Sequence, residues 1–186
     1  MDAGFSYPIS DSEWVSPLVF SPKKNGKWRI CVDYKELNKA TKKDHFPPPF
    51  IDQVLDGLAG KKLLSFFDGF NGYNKIYISP EDQDKTTFTC PWGTFAYRVI
   101  PFGLCNAPTT FKRAVLSIFT ELVHDVVKIY MEDFTPYGGN FEDALSNLGK
   151  VLHKCIEINL SLSPKKCELL MTTGTMLGHS ISQQGL

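Results

Sequence analysis

The segment Val126-Val127-Lys128-Ile129-Tyr130-Met131-Glu132-Asp133-Phe134 constrains this chain more than any other. It is an apolar, β-branched run that stops at two adjacent carboxylates. A strand does not bury two acids side by side, because an unpaired buried charge costs several kcal/mol. Paired acids at a strand end are tolerated where something cationic sits between them, and a divalent metal is the usual candidate. Leu63-Leu64-Ser65-Phe66-Phe67-Asp68-Gly69 repeats the pattern, an apolar run ended by a carboxylate. Two such strands lying side by side would converge Asp68, Glu132 and Asp133 on one point, which is the outline of a two-metal phosphoryl-transfer site.

At 186 residues the chain is one domain, or one domain with a subdomain. Its 42% hydrophobic and 13% aromatic residues are enough for a packed core and exclude wholesale disorder. The net charge is zero, so there is no global nucleic-acid signature. The charge is unevenly spread, however. Between Pro22 and Lys43 lie eight basic residues against Asp33 and Glu36, leaving an acidic remainder. A basic lobe joined to an acidic, metal-binding body suits a polyanionic substrate, whereas a solvated lysine-rich surface would read the same way taken alone.

The five cysteines are odd in number and lack a C-x-x-C pair, which points to reduced thiols inside a cell rather than a disulfide framework. His153, Cys155, Cys167 and His179 have no recognised zinc spacing. The acidic, polar N-terminus shows no targeting signal, and no apolar run approaches membrane-spanning length.

Leu18–Phe20 and Trp28–Val32 flank Asn25-Gly26, a hairpin signal that would carry lysines at its tip. Three prolines at Pro47-Pro48-Pro49 break the structure, and Ile51, Val54, Leu55, Leu58 and Ala59 mark a short amphipathic helix ended by Gly60. Asn71-Gly72-Tyr73 is expected to turn the chain into a second strand, Lys75–Ile78, followed by a Ser79 cap and Pro80 at the first helical position. A hairpin follows, Lys85–Cys90 and Thr94–Val99. Helical stripes run from Ala107 to Leu122 after an Asn106 cap, and from Phe141 to Ile156 after the Asn140/Asp143 pair. Two strands near Cys167–Met171 and Thr175–Ser180, joined at Thr172-Thr173-Gly174, close the chain. The order fits an α+β fold with helices on one face of an antiparallel sheet and the carboxylates on the other, open face.

Taken in order, the motifs resemble a reverse transcriptase, with the look of gypsy-class long-terminal-repeat retrotransposons of plant type. The resemblance runs through Ser16-Pro17-Leu18-Val19, Trp28-Arg29-Ile30-Cys31-Val32-Asp33-Tyr34-Lys35-Glu36-Leu37-Asn38, and Phe67-Asp68-Gly69-Phe70-Asn71-Gly72-Tyr73. It continues with Lys85-Thr86-Thr87-Phe88, Pro101-Phe102-Gly103-Leu104-Cys105-Asn106-Ala107-Pro108, Tyr130-Met131-Glu132-Asp133, Lys166-Cys167 and Leu177-Gly178-His179. It implies the right-hand polymerase fingers–palm fold, with fingers over roughly 1–60 and 79–105 and palm over roughly 61–78 and 106–186, the thumb, connection and RNase H regions being absent.

The implied activity is RNA-directed DNA polymerisation, with dNTP and a primed RNA or DNA template as partners. Asp68, Glu132 and Asp133 would hold two Mg²⁺ ions, with Mn²⁺ a substitute. Arg29 with Lys23 or Lys24 would clamp the triphosphate, and Tyr73, beside Asn71 and Gly72, would exclude a ribose 2′-OH. Phe102 and Gly103 would pack against the dNTP and template base, and Lys166 would stand near the pyrophosphate. Leu177-Gly178-His179 would form the primer grip. The implied setting is intracellular, in cytoplasm or a virus-like particle, away from any membrane, with a dimer or further polyprotein segments as possible company.

The chain departs from the pattern at Glu132, where the family has aspartate. The added methylene shifts the carboxylate by roughly 1 Å, a misplacement that can cost on the order of 10²-fold in rate. Pro136, in the strand leaving the turn, removes a ladder donor, and the Pro47–Pro49 run also looks substituted. The competing reading is therefore a retrotransposon-derived remnant that at most binds nucleic acid or nucleotide. Another palm enzyme, such as a nucleotide cyclase, is disfavoured by the basic hairpin and by Leu177-Gly178-His179.

Overall fold

Apolar runs and alternating segments pair into three sheets among the described residues, which in this computed structural model are 4–22, 26–47, 50–69 and 72–185. In chain order the first elements are β1 (Ser6–Pro8), β2 (Ser16–Pro22), β3 (Trp28–Val32), α1 (Lys35–Ala40), α2 (Ile51–Leu58) and β4 (Leu63–Asp68). Then come α3 (Pro80–Gln83), β5 (Phe88–Cys90), β6 (Gly93–Tyr97), α4 (Ala107–Ile118), β7 (Val127–Tyr130) and β8 (Asp133–Gly138). The last are α5 (Phe141–Glu157), β9 (Glu168–Met171), β10 (Thr173–Met176) and β11 (His179–Ser182). They form two compact units, one within 1–45 and 73–110, the other within 46–72 and 111–186.

The first unit is built on a five-stranded sheet of order β1-β6-β5-β2-β3, antiparallel except between β2 and β5. The expected β2–β3 hairpin is present, with Phe20 opposite Ile30; its Lys23, Lys24 and Asn25 lie outside the described residues, as do Pro48 and Pro49 of the proline run. Val32, Tyr34 and Leu37 are buried beneath Trp14, Leu18 and Phe88. The Tyr34 hydroxyl donates to the Thr86 carbonyl at 2.9 Å, so the buried phenol keeps a partner.

Lys75–Ile78, expected as a strand, is a 3-10 turn over Gly72–Lys75 followed by a single bridge, Tyr77 to Val99. The Ile76 amide bonds back to Tyr73 at 3.1 Å, which curls the backbone out of extension. The six-residue α1 escaped the sequence reading because it buries only Leu37, too little for a helical period. Asn106, expected as a helix cap, instead ties down the preceding chain: its side-chain oxygen accepts from the Asp44 amide at 3.1 Å, and its amide donates to the Lys42 carbonyl at 2.8 Å.

The second unit holds a four-stranded antiparallel sheet of order β7-β8-β4-β9. The run ending in Glu132 and Asp133 is therefore a hairpin, and its second arm, β8, separates β7 from β4. The two apolar strands expected side by side are not neighbours. Both faces of the sheet are covered. On one face Gly138 lies under Ala144 of α5, and Phe134 meets the Phe119 ring at 5.3 Å between centroids. On the other, Leu64 and its cross-strand partner Tyr137 pack with Val54, Leu55 and Leu58 of α2 and with Met176 and Ile181 of the β10–β11 hairpin. The carboxylate face is thus partly roofed, and α2 packs within this unit. Its three buried side chains explain why.

The closing strands also differ from expectation. β9 pairs with β4 and not with β10, while β10 pairs with β11 around Leu177-Gly178. Both turn residues have positive φ, +54° and +84°, the geometry of a type I′ hairpin. Pro136 is accommodated where the β4–β8 ladder lapses: pairing is present at Leu64–Tyr137 and Phe67–Phe134 but not between them.

The tightest contact in this unit lies at Gly138, where an added Cβ would come within 2.3 Å of the Ala144 backbone nitrogen. Backbone cannot move aside as a side chain can, so Gly138→Ala is expected to destabilise by on the order of 3 kcal/mol. That corresponds to roughly 6–12 °C in Tm by circular dichroism. Gly139→Ala, which points into open space, serves as the neutral comparison.

Candidate active site

Asp68 is the last residue of β4 and Asp133 the first of β8, and the two are direct register partners. Cross-strand partners project from the same sheet face about 5 Å apart at Cβ, so strand pairing alone sets two carboxylates against each other. Tyr130 also pairs with Asp133, which leaves Met131 and Glu132 as a two-residue hairpin loop. Met131 has φ +54°, while Glu132 stays out of the left-handed region. Positive φ at the first loop position alone is the type II′ pattern, ordinarily given to glycine. The Met131 backbone is consequently strained.

Glu132 is engaged by the neighbouring 69–72 segment, and its charge also acts on the Lys166 ammonium. Its carbonyl accepts from the Gly69 amide at 2.8 Å, and its Oε1 accepts from the Gly72 amide at 3.0 Å. Gly72 must be glycine for this, because a Cβ would stand 2.8 Å from the Phe111 ring and 3.0 Å from Oε1.

The third member of the group is Lys166. The chain from Leu162 to Lys166 is tied to the end of β4: Leu162 bridges Gly69, and the Ser163 amide donates to the Asp68 carbonyl at 2.9 Å. Lys166 Nζ then donates to Asp68 Oδ2 at 2.6 Å. Burial, and next the negative charge of Asp68, push the Asp133 carboxyl above its ordinary value, while Lys166 works the other way. The hydrogen bond to Asp68 raises the Lys166 ammonium, so it stays protonated. A pocket of about 200 Å³ opens here, lined by Phe66, Asp68, Asp133, Thr135, Lys166 and Met176 among others.

Among the described residues, no group of three His, Cys, Asp or Glu side chains converges as a metal site would. The structure brings together Asp68 and Asp133, and Glu132 answers to Gly72. Two facing hard-oxygen donors with mutual repulsion nevertheless fit a divalent cation, which would relieve that repulsion.

The other sequence-nominated residues fall as follows. Tyr73 is buried and meets the exposed Phe102 ring edge-on, with centroids 5.0 Å apart. Gly103 has φ +104°. Arg29 is exposed on β3 opposite Ser21. Leu177 and Gly178 form the β10–β11 turn, and His179 is exposed just after it. Lys23, Lys24 and Asn71 lie outside the described residues. Sequence reading gave no role to Asn38, which grips the Gly103 loop: its amide donates to the Gly103 carbonyl and its oxygen accepts from Cys105 N–H, both at 2.8 Å. The Leu37-Asn38 pair within the quoted motif was the signal available.

A carboxylate pair at the end of the two central strands of an antiparallel sheet, with a mixed five-stranded sheet in the same chain, fits the α+β fingers–palm fold of a polymerase. The chain belongs to the reverse transcriptase family: residues 21–181 match the family described as "Reverse transcriptase (RNA-dependent DNA polymerase)". It is 36% identical over 183 residues to the retrovirus-related Pol polyprotein from transposon 412 of Drosophila melanogaster, covering 95% of this chain and 15% of that one. It superposes on the foamy viral protease–reverse transcriptase in complex with double-stranded DNA with a TM-score of 0.91 and 27% identity, covering 99% of this chain and 32% of the other. With the same viral protein in complex with an RNA/DNA hybrid the TM-score is 0.88 at 26% identity, covering 97% and 24%. The chain thus spans about a seventh of the transposon 412 polyprotein.

The raised Asp133 value has a thermodynamic consequence. Its ionised form is disfavoured in the folded state, so stability is lost as pH rises through the folded-state value and is intact below the ordinary carboxylate range, about pH 4. Asp133→Asn should raise Tm at pH 7 in the presence of a chelator, and the gain should fade as the pH falls to about 3. Thermal melts across pH check this.

Proposed function

We propose that this chain is the fingers–palm catalytic core of an RNA-directed DNA polymerase, transferring nucleotides from dNTP to a primer 3′-hydroxyl on an RNA or DNA template. The observation that carries the reading is the Asp68–Asp133 register pair with Lys166 alongside. Divalent cations of the magnesium type, held by these carboxylates, would stabilise charge on the primer hydroxyl and on the triphosphate oxygens. Lys166, protonated in the resting site, would offer its positive charge, or as a general acid its proton, next to the point where pyrophosphate departs. The rigid Tyr73 ring, wedged against Phe102, would crowd a 2′-hydroxyl. Arg29 supplies a planar fork for phosphate oxygens, aided by Lys23 and Lys24. Gly72, with Asn71, would serve the sugar end of the nucleotide, and Gly103, held by Asn38, would allow close approach of its backbone to the base pair. The Leu177-Gly178-His179 turn would support the primer end. Binding of a primed template is supported by the viral relatives in complex with double-stranded DNA and with an RNA/DNA hybrid. The ordered motifs and the likeness to the transposon 412 polyprotein favour a gypsy-class retrotransposon origin, with work done in the cytoplasm or in particles. No helix among the described residues is long and apolar enough to cross a membrane.

A second reading, a fold that binds nucleic acid or nucleotide without turnover, is favoured by one observation: the Glu132 carboxylate is engaged by the Gly72 amide. Single-nucleotide primer extension separates the two. Weak incorporation by the native chain, abolished by Asp68→Ala and raised on the order of 10²-fold by Glu132→Asp, is the expected outcome. Absence of extension in all three, with folding intact by circular dichroism, would leave the binding-only reading.

A further inference from the structure

We propose that Lys166 is a tethered internal cation that occupies the Asp68 carboxylate until a divalent metal displaces it, so that this one side chain sets the threshold for metal loading. The inference rests on reading the Asp68–Asp133 pair as a metal site, and goes beyond that reading by giving the lysine a task before any nucleotide arrives.

The geometry is that of competition for one oxygen. Lys166 Nζ stands 2.6 Å from Asp68 Oδ2. An ammonium at that distance and a magnesium ion at its usual contact of about 2.1 Å cannot share the oxygen's open side. The pair is also built in, not a chance surface contact. The lysine closes a 3-10 turn, Pro164–Lys166, whose start is pinned to the carbonyl of Asp68 itself through Ser163. A further bond, from the Lys166 amide to the Ser163 carbonyl at 3.0 Å, tightens the turn. Such a tether keeps the ammonium at high effective concentration near Asp68 after release, so it re-enters whenever the metal leaves.

Solvent access makes the exchange feasible. The Lys166 side chain is 63% exposed, while that of Asp68 is 27% exposed. The ammonium can therefore swing into water at small cost, whereas the carboxylate stays where β4 puts it. A displaced ammonium at the mouth of the pocket shared by Asp68 and Asp133 is then available to a polyphosphate, the anion class whose arrival accompanies the metal.

The test uses Mn²⁺ as probe, titrated into the folded chain without nucleotide or nucleic acid, with free Mn²⁺ read by electron paramagnetic resonance. Lys166→Met should bind Mn²⁺ about two- to fivefold more tightly than the native chain at low salt, the range expected for removing one partly exposed competing charge. The difference should shrink as salt screens the pair, and the neighbouring Lys165→Met should leave affinity unchanged. Asp68→Asn should lose the site. Equal or weaker binding by Lys166→Met, with Asp68→Asn still losing the site, would overturn the competition alone. Unchanged binding in Asp68→Asn would overturn the metal-site reading and the competition with it. Circular dichroism of each variant confirms that folding is not the variable read.

Discussion

The register of β8 against β4 is the constraint on which the rest of this structure depends. Asp68 opposite Asp133 places two like charges at one end of an otherwise apolar ladder, and shifting the pairing by a single residue would send one carboxylate to the opposite face. Nothing in the two acids holds that register, since they repel each other. It is held by the apolar remainder of the strands: Leu64 with Tyr137 over α2 on one face, Phe134 against Phe119 on the other. The hydrophobic packing of this unit is what keeps an electrostatically unfavourable pair in place.

Close backbone approach supplies the second layer of control. Gly138 under Ala144 seats α5 on β8, and Gly174 lets the β10–β11 hairpin lie so near Phe66 that a Cβ would fall 2.0 Å from the ring. These contacts deliver the Leu177-Gly178 turn to the carboxylate side of the sheet, with Met176 accepting from the Thr135 hydroxyl at 3.6 Å. Gly72 does the same for the loop between β7 and β8, admitting both Phe111 and the Glu132 carboxylate to one narrow space. Glycines here work by absence of volume, and the site's precision follows from how little room surrounds them.

Charge balance then distinguishes the two members of the hairpin. Asp133 faces Asp68 and is raised by burial and repulsion; Glu132, one residue earlier, is long enough to reach the Gly72 amide and takes a neutral donor. Lys166 completes the group with a positive charge carried on a turn fastened to β4. Two facing acids and one lysine ammonium therefore share this end of the β4–β8 ladder. The Glu132 carboxylate thus has a partner of its own in the Gly72 amide.

The residues that could be nominated from sequence were those whose chemistry is odd for their surroundings. Acids ending apolar runs, the pairing of β2 with β3, Asn140 shaped to cap α5 and the order of the reverse-transcriptase motifs were all legible, because local charge, backbone preference and spacing are written along the chain. The α5 cap formed as expected, with the Asn140 oxygen accepting from the Asp143 amide at 2.8 Å. What the chain could not reveal was which strand lies beside which. That β8 intervenes between β7 and β4, that α2 joins the second unit, that β10 leaves β9 for β11, and that Lys166 comes to rest on Asp68 all depend on contacts between residues far apart in sequence. Those contacts are chosen by the burial of faces and the fit of side chains in three dimensions, quantities that exist only once the strands have paired. The sequence by itself determined the chemistry available; the tertiary structure decided which of those groups meet, because distance between side chains is a property of packing and not of order.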